Sequence, residues 1–345
     1  MKRKLAPALA ALRGERGLLV GAALALAASF LRPEVPLQRD LFEHVVVLDI
    51  TQSMNVADQQ LDGRPASRLA AAKHHLRLAL LGLPCGSKLG WAVFTEYRSF
   101  LLLAPVEVCT HLGELRTTLD GIDGRMAWVG GSEIAKGLHS ALVVAKQLPR
   151  QPALVFITDG HESPPLNRRH RPAFDDKPGE ARGFILGVGE IKPSPIPKTD
   201  PQGRPLGYWR GDDVAQTDPR SQGRGASVGG ERMVDEGGGG TSASALGATP
   251  GTEHLSGLRE PYLRLLAGEQ GLGFQRLATT EALVAALTAP ALARPVPARA
   301  DVRVALGLLA LVLLLTRYRG GKRWRRLRWP WRPWKRPARA EPRPA

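Results

Sequence analysis

The sequence predicts an α/β fold: a Rossmann-like, doubly wound and mostly parallel sheet with one antiparallel edge strand, flanked by N- and C-terminal membrane helices. Short apolar runs alternate with stretches of helical periodicity, which is typical of a parallel sheet covered by helices on both faces. Two of the apolar runs end in an aspartate, at Asp49 and Asp159. Two longer apolar segments lie beside strongly basic ends, which is a membrane signal.

The main domain is predicted over residues 44–290, and its first half begins with a buried strand at 45–50. A helix follows, because apolar residues recur every three or four positions on one face: Leu69, Ala72, Leu76, Ala79, Leu80 and Leu83. Residues 89–94 and 100–104 predict an antiparallel strand pair joined by a tight turn around Tyr97.

Both cysteines flank that predicted hairpin. Cys85 and Cys109 lie twelve residues to either side of Tyr97, so they would face each other across the pair. On the oxidising side of a membrane such a pair forms a disulfide, and two free thiols are the alternative. Nothing in the cysteine spacing suggests a thiolate metal site.

The rest of the domain repeats the alternation of helices and strands. The remaining predicted elements are a helix at 111–119, a helix from Ser132 to about residue 147, strands at 153–158 and 183–188, a helix at 258–267, a strand at 273–277 and a helix at 281–287. Between them, residues 190–256 are rich in Pro, Gly and Ser and predict a long, partly disordered insertion. Within it, Pro205 to Trp209 is expected to form a returning strand after a turn.

The net charge of +16 is concentrated at the two ends of the chain. Residues 1–16 carry +4 and residues 317–345 carry +11, which leaves the body close to neutral at +1. A basic groove for nucleic acid is therefore not expected on the domain. Basic ends beside apolar segments favour a membrane surface instead.

The apolar segments predict how the chain sits at a membrane. Residues 1–31 are expected to be a basic N-terminus followed by an anchor or a cleaved signal at 18–31, and residues 302–316 a transmembrane helix. Both runs are shorter than the roughly 20 residues that a spanning helix needs, so buried core helices are the alternative. The prediction is a bacterial inner-membrane protein with a periplasmic main domain. Its Trp- and Arg-rich cytoplasmic tail, 317–345, would rest on anionic lipid, with RNA binding as the alternative.

Oxygen-bearing side chains collect where the predicted strands end. Asp49, Thr51 and Ser53 follow the first strand, Ser132 follows a double glycine, and Asp159 ends another buried strand. Ligand sites in open parallel sheets lie outside the carboxyl ends of the strands, so these side chains should meet. Carboxylates and hydroxyls suit Mg²⁺, or another divalent cation such as Mn²⁺ or Ca²⁺, with one position left for an outside carboxylate.

Each piece also has a simpler explanation. An Asp-x-Thr-x-Ser pattern occurs by chance in many proteins. Ser132 could serve only as a helix N-cap, and Asp159 with Gly160 could form only a turn. The order of the pieces and their position at strand ends favour the metal site.

The pattern resembles a von Willebrand factor type A domain with a metal-ion-dependent adhesion site. That family has Asp-x-Ser-x-Ser after the first strand, a Thr in a glycine-containing loop and an Asp ending the fourth strand. Here Thr51 replaces the first Ser and Ser132 replaces the Thr, so every hydroxyl is kept. The resemblance covers residues 44–190 well and 257–290 loosely.

The resemblance implies a role in binding rather than catalysis. The architecture is similar to bacterial membrane-anchored proteins linked to MoxR ATPases or to methanol dehydrogenase maturation. It implies an assembly or chaperone-like factor whose partner is a protein offering an Asp or Glu carboxylate to the metal.

A phosphatase and a metal-free scaffold are the alternatives to this function. A magnesium-dependent phosphatase of the haloacid dehalogenase type needs a second carboxylate two residues after the first, and here that residue is Thr51. His161 and Glu162 suggest acid–base work, but a solvated loop explains them, and no phosphate-binding loop is present. No catalytic residue is therefore expected. The other alternative is a metal-free scaffold whose working surface is the 190–256 insertion.

Overall fold

The computed structural model describes residues 15–31, 33–127, 131–166, 170–214, 232–235 and 251–319. Several predicted features lie outside these ranges: the first glycine of the pair before Ser132, residues 215–231 and 236–250 of the insertion, and the tail from residue 320 onward. The chain divides into two compact units, one of residues 39–296 and one that joins residues 1–38 to 297–345.

The larger unit is built on one sheet of six strands. In chain order these strands are β2 (Glu43–Asp49), β5 (Lys88–Thr95), β6 (Arg98–Glu107), β7 (Ala153–Thr158), β9 (Gly183–Gly187) and β15 (Gly273–Arg276). Their spatial order is β15-β9-β7-β2-β5-β6, and only the edge strand β6 runs antiparallel to its neighbour. The predicted mixed α/β fold with a mostly parallel sheet is therefore confirmed.

In the described part of the chain, five helices cover this sheet. They are α2 (Arg68–Ala79), α3 (Leu112–Gly121), α4 (Ile134–Gln147), α5 (Glu260–Gln270) and α6 (Thr280–Leu287). On β2, Val46 and Leu48 join the hydrophobic core with α2, α3 and α6, whereas Val45 and Val47 join the core with α4 and α5. Because side chains alternate between the two faces of a strand, β2 contributes to two cores, which explains why it is apolar throughout from Val45 to Leu48.

The larger unit also contains short strand pairs that are separate from the six-stranded sheet. They are β3 (Gln59–Leu61) with β4 (Arg64–Ala66), β8 (His170–Ala173) with β13 (Arg232–Asp235), β10 (Ser194–Pro195) with β14 (Leu255–Ser256), and β11 (Pro197–Thr199) with β12 (Pro205–Tyr208). The returning strand predicted at 205–209 is β12. The pair β10–β14 joins the beginning of the 190–256 insertion to its end.

The smaller unit holds helices α1 (Glu15–Phe30) and α7 (Arg303–Arg319), which pack through Ala22, Ala25 and Ala310. Strands β1 (Glu34–Leu41) and β16 (Arg294–Asp301) pair with each other. The two membrane helices predicted at 18–31 and 302–316 are not supported. Within the described ranges, no helix combines the length and the apolar character needed to cross a bilayer.

His44 lies in the core near the start of β2 and is fully buried. Its Nε2 donates to the Leu287 carbonyl at 2.8 Å. Burial lowers the pKa of this imidazole to about 4, assisted by the positive charge of Arg182 and opposed by the Leu287 hydrogen bond. The folded protein therefore holds His44 neutral at a pH where the unfolded chain is protonated.

This histidine predicts a pH dependence of stability. The unfolded state binds the extra proton, so the contribution of His44 is complete above its ordinary pKa of 6.5 and is lost as the pH falls through about 4. We expect the loss to reach about 3 kcal/mol. Urea unfolding at pH 7 and pH 4 measures it, and His44→Gln should lose less stability than the wild type over this range. Equal losses would contradict the prediction.

Candidate metal centre

Asp49 ends β2 with a buried carboxylate that organises two hydroxyls. Its Oδ1 accepts hydrogen bonds from the Thr51 amide at 2.9 Å and the Thr51 hydroxyl at 2.6 Å. Its Oδ2 accepts from the Thr158 hydroxyl at 2.7 Å. The Thr51 hydroxyl lies 3.2 Å from the Ser53 hydroxyl. Asp49, Thr51 and Ser53 thus form one connected group, as expected for side chains that follow one strand into a tight turn.

Asp159 follows β7, the neighbour of β2, and is also fully buried. Its Oδ1 accepts from the His161 amide at 2.9 Å. Its Oδ2 accepts from Arg68 Nη1 at 2.5 Å and from the Ser256 hydroxyl at 2.9 Å. This carboxylate is therefore already paired with a cation that belongs to the chain.

Arg68 was not foreseen as a site residue, yet it lies at the centre of this network. Its side chain is 0 % exposed and forms a second ion pair with Asp58, whose Oδ2 accepts from Nη2 at 2.6 Å and from Nε at 2.9 Å. Nη2 also donates to the Ser256 carbonyl at 3.0 Å. No sequence pattern marks Arg68, because it begins α2 directly after the capping residue Ser67 and would be expected on the surface.

The two aspartates differ in their affinity for a proton. Burial, followed by the nearby charge of Asp159, raises the pKa of Asp49 to about 7 despite its hydrogen bonds. Burial acts to raise the pKa of Asp159, but the charge of Arg68 together with the contacts of His161 and Ser256 outweighs it, and the net shift is downward. Near neutral pH the Asp159 carboxylate is therefore ionised. The Asp49 carboxylate is only partly ionised, and a bound cation would favour its ionised form.

Ser132 lies at the same edge of the sheet but does not begin a helix as predicted. Helix α4 starts at Ile134 with Glu133 as its N-cap. Ser132 instead exchanges two backbone hydrogen bonds of 2.7 Å with Ser163. Its hydroxyl is buried, and the described residues offer it no hydrogen-bond partner. An orphaned buried oxygen of this kind fits a cation ligand, since an unpaired buried polar atom is otherwise costly.

The prediction that His161 and Glu162 lie in a solvated loop is wrong. The two residues are 3 % and 1 % exposed. Glu162 Oε1 accepts from the Tyr262 hydroxyl at 2.6 Å and from the Ile134 amide at 3.0 Å, so it caps α4 in the place expected for Ser132. Burial, followed by the positive charge of Arg259, lowers the pKa of His161 to about 3.

A cavity of about 270 Å³ opens beside these groups. The hydroxyl residues Thr51, Ser53 and Ser132 line it together with His161. The insertion supplies further lining residues: Ile196, Trp209, Asp213, Val214 and Glu253. Trp209 is anchored because its indole Nε1 donates to the Gln52 side chain. Described residues of the insertion therefore line the cavity at the predicted metal site.

A different group of metal-type ligands lies at the other end of β5. In the part of the chain that the structure describes, Cys85, Glu107 and Cys109 bring their ligand atoms within 4.8 Å of one another. The two sulfurs are joined in a disulfide, as the cysteine spacing predicts. The carboxylate of Glu107 accepts from the amides of Gly86 and Thr110, each at 2.6 Å. Glu107 therefore binds the backbone next to both cysteines of the disulfide.

Comparison with solved structures finds similar chains at low identity. An aerotolerance-related membrane protein from Bacteroides fragilis is 18% identical, with a TM-score of 0.43, over 71% of this chain and 96% of that one. BatB, a conserved hypothetical protein from Bacteroides thetaiotaomicron, is 17% identical, with a TM-score of 0.43, over 72% and 95% of the two chains. An uncharacterized membrane-spanning protein from Vibrio fischeri is 16% identical, with a TM-score of 0.26, over 71% and 95%.

Comparison with curated proteins finds no match. Comparison with family models matches one segment, which begins at His44 in β2 and ends at His161, just after β7. All five residues predicted from the sequence as metal ligands, Asp49, Thr51, Ser53, Ser132 and Asp159, fall inside it. Residues 44–161 of this chain match the von Willebrand factor type A domain.

Proposed function

We propose that this chain is a non-catalytic, metal-dependent protein-binding module, which serves as an assembly or maturation factor for a periplasmic or membrane complex. One observation supports it above the others. Thr51 and Ser53, which are hydrogen-bonded to each other and through Thr51 to Asp49, line one cavity with Ser132, whose hydroxyl is orphaned. The family match of residues 44–161 agrees with a binding role.

The residues fit a hard divalent cation such as Mg²⁺. Thr51, Ser53 and Ser132 would offer hydroxyl oxygens, while Asp49 and Asp159 would balance the charge directly or through water. The bound cation would supply a positive centre for a carboxylate. The Thr51 hydroxyl donates to Asp49, with 2.6 Å between the two oxygens, so the lone pairs of that hydroxyl point away from Asp49. The ligand that suits such a centre is an Asp or Glu side chain of a partner protein.

A catalytic role is less well supported by the same residues. The second position after Asp49 is Thr51, whose hydroxyl donates to Asp49 and so cannot take up a proton at neutral pH. His161 is held neutral by its burial and hydrogen-bonds the backbone of Glu253. We therefore propose that this chain binds and does not turn over its ligand.

The proposed location is the periplasmic side of a bacterial inner membrane. The Cys85–Cys109 disulfide supports an oxidising compartment, because cytosolic thiols are kept reduced. The +4 and +11 charges of the two chain ends support contact with anionic lipid. Mass spectrometry of the protein isolated from cells without reductant should find both cysteines joined, and two free thiols would refute the location.

Calorimetry with Mg²⁺ tests the proposed function. We expect the chelator-treated, folded chain to bind Mg²⁺ with millimolar or tighter affinity, and Asp49→Ala to bind none. Asp120→Asn is the matched control, because Asp120 is an exposed aspartate that pairs with Arg77 away from the site. Circular dichroism should show that each variant is folded. Phosphatase activity on generic substrates that is lost with Asp49 would support an enzyme instead.

A metal-free scaffold is the second candidate, and Arg68 favours it. The guanidinium already neutralises Asp159, so that carboxylate is stable without a metal. In this case the working surface would be the 190–256 insertion. A folded wild-type chain that shows no cation binding would favour the scaffold over the metal-dependent module.

A further inference from the structure

We propose that the cavity beside the metal centre binds a first-row transition-metal dication, for which His161 Nδ1 is a direct ligand and Glu253 Oε1 and the Ser132 hydroxyl are ligands directly or through one water. The proposal rests on the proposed function and deepens it. It names the class of cation and adds two ligands, one of which comes from the insertion.

Buried polar atoms without a partner occur on three of the residues that line the cavity. Ser132, His161 and Glu253 are 1 %, 3 % and 1 % exposed, and each contributes to the lining of the 270 Å³ cavity. In the described part of the chain, Ser132 Oγ, His161 Nδ1 and Glu253 Oε1 have no hydrogen-bond partner. Orphaned buried polar atoms are rare in folded proteins, so three of them on residues that line one cavity point to a missing ligand.

All three unpartnered atoms present lone pairs. The His161 imidazole hydrogen-bonds the backbone of Glu253, and because Nδ1 is the unpartnered nitrogen, the donor is Nε2. Nδ1 of the neutral ring is then an acceptor, like a hydroxyl oxygen and a carboxylate oxygen. A hydrogen-bond donor that carries a single proton could pair with only one of these three acceptor atoms. A cation satisfies them together.

The position of Glu253 is fixed by its neighbours. Its Oε2 lies 3.4 Å from Arg259 Nη2, which leaves Oε1 as the oxygen without a partner among the described residues. Directly after it, the Leu255 amide donates to the Thr252 carbonyl at 2.9 Å, and the Ile196 amide donates to the His254 carbonyl at 3.1 Å. The insertion thus holds this carboxylate in place rather than leaving it on a free loop.

The ligand types indicate the class of cation. Mg²⁺ and Ca²⁺ prefer an all-oxygen environment, whereas an imidazole nitrogen favours first-row transition metals. A histidine, a carboxylate and a hydroxyl together suit Mn²⁺ or Zn²⁺. The imidazole is also oriented by its hydrogen bond to a backbone carbonyl, an arrangement that fixes the tautomer of metal-binding histidines.

Electron spin resonance of Mn²⁺ bound to the full-length, chelator-treated chain tests the proposal directly. We expect electron spin-echo modulation from a coordinated imidazole ¹⁴N in the wild type, and its loss in His161→Gln. Titrations should give at least tenfold tighter binding of Mn²⁺ than of Mg²⁺. His161→Gln should remove that preference, and Glu253→Gln should weaken Mn²⁺ binding at least tenfold.

His44→Gln is the matched control, because His44 is also buried, also has an unpartnered Nδ1, and lies at the opposite end of β2. It should leave the ¹⁴N modulation and the Mn²⁺ affinity unchanged. The wild-type spectrum needs no variant to fold, and circular dichroism checks the others. Mn²⁺ bound without nitrogen modulation would overturn the proposal.

The results also separate this inference from the proposed function. Mg²⁺ binding that depends on Asp49, without nitrogen modulation or a preference for Mn²⁺, refutes the inference and leaves the metal-dependent module standing. It would mean that ordered water satisfies His161 and Glu253. Absence of binding of any dication to the folded chain refutes both.

Discussion

Replacing Arg68 by Met should lower the free energy of unfolding by about 3–5 kcal/mol, the usual cost of removing one partner of a buried ion pair. The guanidinium is 0 % exposed and pairs with both Asp58 and Asp159. Without it two buried carboxylates lose their counter-charge, and the Ser256 carbonyl loses a donor. Methionine fills much of the volume, so the loss reports on charge more than on packing.

Urea unfolding at neutral pH measures this effect. Arg77→Met is the matched control, because Arg77 and Asp120 form an exposed ion pair with side chains 33% and 53% accessible. Exposed pairs contribute about 0–1 kcal/mol, so this variant should remain close to the wild type. If both variants lost the same small amount, Arg68 would not be the counter-charge that the geometry indicates.

Removing the disulfide should cost about 3 kcal/mol. Cys85 and Cys109 are 24 residues apart, and closing a loop of that length restricts the unfolded chain by about this amount. The double variant Cys85→Ser with Cys109→Ser keeps the shape of the side chains and removes the cross-link. Its thermal midpoint should fall by several degrees.

Reductant provides the control for this prediction. Dithiothreitol should lower the thermal midpoint of the wild type toward that of the double serine variant and leave the variant itself unchanged. A wild-type midpoint that is indifferent to reductant would show that the cross-link adds no stability, or that it does not form.

Much of the fold is predictable because the apolar pattern is local. The central strand β2 has to be apolar on both faces, since Val46 and Val47 enter different cores. The hairpin β5–β6 is predictable for the same reason, because its two strands and its turn lie within one short segment. The meeting of Asp49 and Asp159 then follows from the rule that parallel strands end at one edge.

The environment of the site was not predictable, because it depends on distant residues. Glu162 is buried because Tyr262, a hundred positions later, donates to it. Arg68 is buried because Ser256 and Asp159 close over it from two other parts of the chain. A single sequence gives no sign of such contacts, so a polar residue after a strand is assigned to solvent by default.

The apolar segments near the two chain ends show a different limit of prediction from sequence. An apolar run beside basic residues is common to membrane anchors and to helices that pack against each other. Ala22 and Ala25 of α1 pack with Ala310 of α7, which are small residues that allow two helices to approach closely. Composition alone does not separate these outcomes.

The pairing of β10 with β14 has a consequence for the evolution of the chain. Ser194 and Ser256 lie side by side, so the stretch between them begins and ends at one place on the domain. Lengthening a loop whose ends are already joined costs little, because closure entropy grows only with the logarithm of its length. Related proteins could therefore differ in the length and sequence of this stretch, and so in the ligand that they bind, while keeping the same six-stranded sheet.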